Sequence, residues 1–259
     1  MSEQIPRVTI PNTEVRTLQS NNVSQEYRLF VSLPDGYHDS EDTYPVLYIG
    51  DGNWGIPYFA SVNFKWHPVP PMIVVGIGYP TDDNDEISRL RERDFLPTPQ
   101  KNVSDSSQTI PKKGGSPQFL EFIRDELIEF INNQYRTKPN NRIFFGYSFG
   151  GTFGIYTLFN QPNIFTHYII GAPVLSWEND ICLTYERDYA DKHSELPVKL
   201  YLGVGTLDED LMEQLVSFQA TMQSRTYEGL EMHFEVFDGE DHITAGGPTA
   251  SRGIRALFS

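Results

Sequence analysis

Apolar residues along this chain gather in short runs that end at glycine or another turn signal, the pattern of β-strands in sequence. Tyr27 to Leu33 alternates polar and apolar positions, which predicts a half-buried antiparallel strand. Val46 to Gly50, Met72 to Gly76, Arg142 to Phe145, Tyr168 to Ile170, Val198 to Val204 and Met232 to Phe237 are mostly continuous instead. A continuous apolar run suits a parallel strand covered on both faces. Between these runs the period changes. Ser116 and Pro117 open a stretch in which Phe119, Leu120, Ile123, Leu127 and Ile131 recur every three or four residues, a helix with a cap and a proline in its first turn. Phe149 to Phe159, Leu211 to Thr226 and the region of Ile254 to Phe258 read as further helices. Strand, helix and strand in succession imply parallel pairing through right-handed crossovers. The expectation is one doubly wound α/β domain over residues 1–259 with an antiparallel start. Phe95 to Gly115 stands apart: three prolines, several serines and no apolar period predict a lid or a substrate-binding loop at 95–115.

Composition narrows the function. At 39% hydrophobic and 21% charged residues the chain is globular in character. A net charge of −15 repels phosphate backbones, so no nucleic-acid partner is expected. No apolar run reaches the length of a membrane span or of a secretory signal, so no membrane association is expected and a cytoplasmic location is. One cysteine, Cys182, excludes an internal disulfide and reads as a small packed side chain.

Gly146-Tyr147-Ser148-Phe149-Gly150 is a G-x-S-x-G pentapeptide, of which chance supplies about 0.1 in a chain of this length. Its setting adds more than its letters. A predicted strand precedes it and a predicted helix follows, the geometry that lifts a serine hydroxyl above a sheet. Ser148 is the candidate nucleophile. A hydroxyl attacks only when a base takes its proton, and the histidine should follow in a loop beyond a late strand, where open α/β sheets bind ligands. His38 and His67 precede the serine, His167 and His193 read as surface residues, and His233 lies within a strand. His242, just after Met232 to Phe237, is the candidate base. The orienting acid should follow Val198 to Gly205. Asp208 comes first there, with Glu209 and Asp210 as alternatives. The oxyanion needs two backbone N–H groups: Phe149 offers one, and Gly52, or Asn53 in its place, the other. Asn53, Trp54 and Trp177 are candidate substrate contacts. Glu240, Asp241 and His242 could be read as metal ligands, but no paired histidine or cysteine motif supports a metal site.

Several stretches together resemble one family: the α/β-hydrolases that include ferric-siderophore (enterobactin-type) esterases and relatives of the esterase D group. They are Tyr44-Pro45-Val46-Leu47-Tyr48 through Asp51-Gly52-Asn53, Val75-Gly76-Ile77-Gly78, Arg91-Glu92-Arg93-Asp94-Phe95, Phe119 to Tyr135, the pentapeptide, Ala172 to Trp177, Asp241-His242, and Ser251 to Phe258. The resemblance implies an α/β-hydrolase fold with a mostly parallel sheet of about eight strands and helices on both faces. It also implies esterase activity without a cofactor, Ser148 and His242 in the catalytic roles, and an acid at or near Asp208. Members often carry Ser-Pro-Ser-x-Trp-Trp where this chain has Ala-Pro-Val-Leu-Ser-Trp-Glu, which alters the surroundings of Trp177. Some siderophore hydrolases of the family work with a weak or missing acid. The leading expectation is a serine carboxylesterase acting on small or medium esters, as a monomer or homodimer. The second is a siderophore trilactone esterase, favoured by six Lys or Arg against three acids from Arg89 to Lys113. The third is a non-catalytic binding protein.

Overall fold

A computed structural model describes residues 9–59, 69–98 and 114–258. Eight strands form one sheet: β1 (Thr13–Ser20), β2 (Gln25–Ser32), β3 (Tyr44–Ile49), β4 (Ile73–Gly78), β5 (Thr137–Tyr147), β6 (His167–Gly171), β7 (Lys199–Gly205) and β8 (Glu231–Phe237). Their order is β1-β2-β4-β3-β5-β6-β7-β8. β2 is antiparallel to both β1 and β4, and every pairing from β4 to β8 is parallel.

The helices are α1 (Gly52–Phe59), α2 (Asn84–Phe95), α3 (Ser116–Phe122), α4 (Ile128–Gln134), α5 (Phe149–Asn160), α6 (Trp177–Ala190), α7 (Glu209–Arg225) and α8 (Gly246–Leu257). A π turn, Ile123–Leu127, joins α3 to α4. Alternate residues of each central strand enter two separate cores. Tyr48, Phe144, Ile170 and Leu202 pack under α2 to α7, whereas Leu47, Ile49, Ile143, Phe145 and Ile169 meet α1 and α8. Both faces are therefore covered, which is why these strands read as unbroken apolar runs. This is the α/β-hydrolase fold.

Four elements go beyond the sequence pattern. β1 is an edge strand with a single buried residue, Ser20, so it shows no apolar alternation. α2 is capped by Asp83, whose side chain accepts the N–H groups of Asp85 and Glu86, yet it buries only Ile87, Leu90, Asp94 and Phe95. α1 carries a proline and two glycines, weak helix formers. α6 opens with Glu178, Asn179 and Asp180 at positive φ, a left-handed first turn that breaks any helical period. Most of the loop predicted at 95–115 falls on residues 99–113, outside the described residues. Among the described residues no helix is long and apolar enough to cross a membrane.

Candidate active site

Parallel strands deliver their following residues to one edge of the sheet, and Asp51, Ser148, Asp208 and His242 all lie in segments that follow the carboxyl ends of β3, β5, β7 and β8. Ser148 sits between β5 and α5 at φ 57° and ψ −123°, a conformation side chains rarely adopt and one that costs about 1–3 kcal/mol. Its N–H donates to Gly171 O at 2.9 Å, and its carbonyl accepts Thr152 N–H at 3.0 Å. The turn is so tight that a Cβ on Gly146 would lie 2.1 Å from Gly150 O. That contact explains the first glycine of the pentapeptide.

His242 Nε2 lies 3.1 Å from Ser148 Oγ, and His242 Nδ1 lies 2.5 Å from Asp208 Oδ2. With Asp208 ionised, Nδ1 carries the ring hydrogen and donates it to the carboxylate, leaving Nε2 free to accept the serine proton. Of the three acids after β7, Asp208 makes this contact; Glu209 and Asp210 are exposed in the first turn of α7. The two loops are joined by Leu207 N–H to Glu240 O at 3.0 Å and Gly239 N–H to Thr206 Oγ1 at 2.8 Å. Asp241 shapes the histidine loop: Oδ1 accepts from Ile243 N at 2.9 Å and Thr244 N at 2.8 Å. These N–H groups hold its carboxyl below the usual range, and they occupy it in building the loop. Tyr147 packs its ring 5.5 Å from the His242 ring.

Phe149 opens α5, so its N–H faces out from the start of a helix behind Ser148. Gly52 opens α1. Trp54 and Gly55 donate to Asp51 O at 3.1 and 2.8 Å, so the N–H groups of Gly52 and Asn53 precede the first bonds of the helix. A Cβ on Gly52 would lie 2.5 Å from Gly76 C, so only glycine lets this turn lie so close to β4. Asp51, just before it, takes a bidentate pair from Arg91 at 2.8 and 2.9 Å. The Arg91 guanidinium also lies 5.4–5.6 Å from the rings of Trp54, Phe95 and Phe149. Sequence reasoning passed over Arg91 as a site residue, because its partner is 40 positions away; only the resemblance at Arg91 to Phe95 pointed there.

The expected substrate contacts fare differently. The Asn53 carboxamide is spent on the protein: Nδ2 donates to Tyr79 O and Thr81 O, and Oδ1 accepts Tyr79 N–H. Asn53 was expected to contact substrate; in the structure both of its amide hydrogens are engaged by backbone carbonyls of the connection after β4. Trp54 is half exposed and donates its indole N–H to Asn84 Oδ1 at 3.1 Å. Trp177 meets the Phe149 ring edge-on at 5.9 Å and donates to Thr98 O at 3.1 Å. Cys182 is buried, and burial pushes its thiol up to about 12, which leaves it without thiolate chemistry. A groove of about 740 Å³ lined by Arg124, Arg142, Phe159, Tyr189 and His193 contains none of the site residues.

Residues 20–247 match the sequence model of the family described as "Putative esterase". The chain belongs to this esterase family. It is a serine ester hydrolase, and named relatives agree in class. The esterase is 30% identical to the ferri-bacillibactin esterase BesA of Bacillus subtilis, over 95% of this chain and 90% of that protein. It is 26% identical to a siderophore enterobactin esterase of Emericella nidulans, over 71% of each chain. The crystal structure of the BES protein from Bacillus cereus superposes with a TM-score of 0.87 at 26% identity, covering 99% of both chains.

Proposed function

We propose that this esterase hydrolyses the ester bonds of siderophores through an acyl-enzyme on Ser148. The observation that carries the reading is the Asp208–His242–Ser148 hydrogen-bond chain in a protein whose similarity to a ferri-bacillibactin esterase runs almost end to end. In this mechanism Ser148 Oγ attacks the ester carbonyl while His242 Nε2 takes its proton, and the Asp208 carboxylate stabilises the imidazolium. The N–H groups of Phe149 and Gly52 receive the oxyanion. Collapse of the tetrahedral adduct breaks the C–O bond, and His242 protonates the departing alkoxide. Water then enters, gives a proton to the same imidazole and bonds to the acyl carbon; the bond from that carbon to Ser148 Oγ breaks, His242 returns the proton to Oγ, and the acid leaves. Chemistry of this kind needs no cofactor.

Sequence reasoning put a simple carboxylesterase first and the siderophore substrate second; the relatives favour the reverse order. What still favours a simple ester is the net charge of −15, which repels an anionic ferric catecholate at long range. Turnover of an iron-free and a ferric catecholate trilactone, set against p-nitrophenyl butyrate, separates the two. A larger kcat/KM for the trilactone, lost in Ser148→Ala, is expected. Efficient turnover of the simple ester with inert trilactones would reject the siderophore reading and leave the carboxylesterase.

A further inference from the structure

The turn Asp51-Gly52-Asn53 is held from three directions. Asp51 is gripped by Arg91 on α2, with side chains only 18% and 13% exposed, and its Oδ2 lies 3.5 Å from the position a Cβ on Gly150 would take, so the turn rests against the start of α5. Gly52 lies flush on the backbone of Gly76 and Ile77. Asn53 closes three hydrogen bonds onto the connection after β4: Nδ2 to Tyr79 O at 3.1 Å, Nδ2 to Thr81 O at 3.2 Å, and Tyr79 N to Oδ1 at 2.7 Å. Room for that carboxamide depends on Gly78, where a Cβ would come 2.4 Å from Asn53 Oδ1. The receiving end is itself anchored. Tyr79 donates its hydroxyl to the fully buried Asp94 at 3.0 Å, and Asp94 also accepts from Tyr27 at 2.8 Å and from Arg93 at 2.6 Å.

Resting on the serine-hydrolase reading above, we infer that Asn53 is a positioning residue: its side chain fixes the first turn of α1 so that the Gly52 N–H is in place before charge develops on the substrate oxygen. A backbone donor at a helix start has no side chain of its own to hold it, and displacement of a reacting contact by about 1 Å can cost about 100-fold. Oxyanion donors act chiefly in the transition state. Loss of the clamp therefore lowers kcat and leaves KM nearly unchanged, whereas loss of a substrate contact raises KM.

The test uses Asn53→Ala, which removes the clamp from the helix side, and Gly78→Ala, which presses a methyl onto the same carboxamide from the strand side. Both are compared with wild type on whichever of p-nitrophenyl butyrate or a catecholate trilactone the wild type turns over. Affinity for phenylboronic acid, which forms an anionic tetrahedral adduct on serine, and melting temperature are measured alongside. The expected result is a fall in kcat of about 10- to 100-fold in both variants, KM within about twofold, and boronate affinity lowered in step with kcat. A raised KM with kcat held overturns the inference in favour of a substrate contact. A lowered melting temperature with kcat, KM and boronate affinity all held overturns it in favour of a purely architectural role. Absence of fluorophosphonate labelling at Ser148 in the wild type is a different failure, of the hydrolase reading itself, and removes this inference with it.

Discussion

Removing the Asp208 carboxylate tests the proposed mechanism at its most quantitative point. When His242 takes the serine proton, a positive charge appears on a ring whose Nδ1 is 2.5 Å from Asp208 Oδ2. The side chains are 37% and 16% exposed, so the pair is neither free in water nor sealed in the core. For unit charges about 4 Å apart at an effective dielectric near 20, the attraction is about 4 kcal/mol. Water entering the gap restores part of it, and about 3 kcal/mol remains, or about 10²-fold in kcat. Asp208→Ala should lose about 10²- to 10³-fold. Asp208→Asn should lose at least as much despite its matching shape. An amide N–H turned toward Nδ1 favours the tautomer with hydrogen on Nε2, which cannot accept the serine proton. Glu209→Gln and Asp210→Asn, both at exposed positions, should stay within about threefold of wild type. The assays are steady-state ester turnover and the rate of fluorophosphonate labelling, with circular dichroism melting to confirm the fold. Retention of more than a third of wild-type kcat by Asp208→Asn, or transfer of the large loss to Glu209 or Asp210, would refute the assignment.

Other consequences can be measured directly. Gly146→Ala places a methyl on the Gly150 carbonyl; it should cost about 3 kcal/mol, lower the melting temperature by about 6–12 °C and slow labelling of Ser148. Arg91→Met alone strands the Asp51 carboxylate in a largely buried position and should cost about 3 kcal/mol, and Arg91→Met with Asp51→Asn should cost less than the sum of the two single changes in urea unfolding. Burial, followed by Lys199, lowers His167 from 6.5 to about 4, with Glu231 opposing. The unfolded chain therefore binds the extra proton between those values, so stability present above pH 6.5 is lost as pH falls toward 4, by about 1–2 kcal/mol after solvent screening. His167→Gln should flatten that part of the pH-stability curve, and an unchanged slope would show that His167 is not its source.

What the sequence made legible were features written in consecutive residues. The central strands are covered on both faces, so their apolar runs are continuous, and the elbow needs its glycines within five positions because Gly146 and Gly150 touch. Features that depend on contact across the fold were hidden. Among three acids after β7, only the approach of the β8 loop distinguishes Asp208. β1 escaped notice because an edge strand buries so little. α2 did so because one of its four buried residues is Asp94, which reads as polar in any window although Tyr27, Tyr79 and Arg93 satisfy it inside the core. The bonds from the Asn53 carboxamide to Tyr79 and Thr81 were equally hidden, because 26 and 28 positions separate the partners along the chain.

The same division separates chemistry from substrate choice. Ser148, Asp208 and His242 stand just beyond β5, β7 and β8, where strand pairing to neighbours on both sides or to the adjoining parallel strand sets their spacing. The nearby rings come from elsewhere: Phe149, next to Ser148, from α5, Trp177 against it from the start of α6, and Trp54 from α1, which shares the Arg91 guanidinium with Phe149. Trp177 stacks edge-on against Phe149 and also holds the Thr98 carbonyl, the last described residue before 99–113. A change at Trp177 is therefore felt both beside the nucleophile and at the entry to that segment, while the hydrogen-bond chain from Asp208 to Ser148 passes through neither. On the proposed function, with recognition at these rings and proton transfer at the strand ends, the first can change without disturbing the second. The departure at Ala172 to Glu178 from the pattern of the family it resembles is therefore expected to bear on which ester enters. Trp177→Phe should change the ratio of trilactone to p-nitrophenyl butyrate turnover while Ser148 keeps its rate of fluorophosphonate labelling, and slowed labelling with an unchanged ratio would refute this.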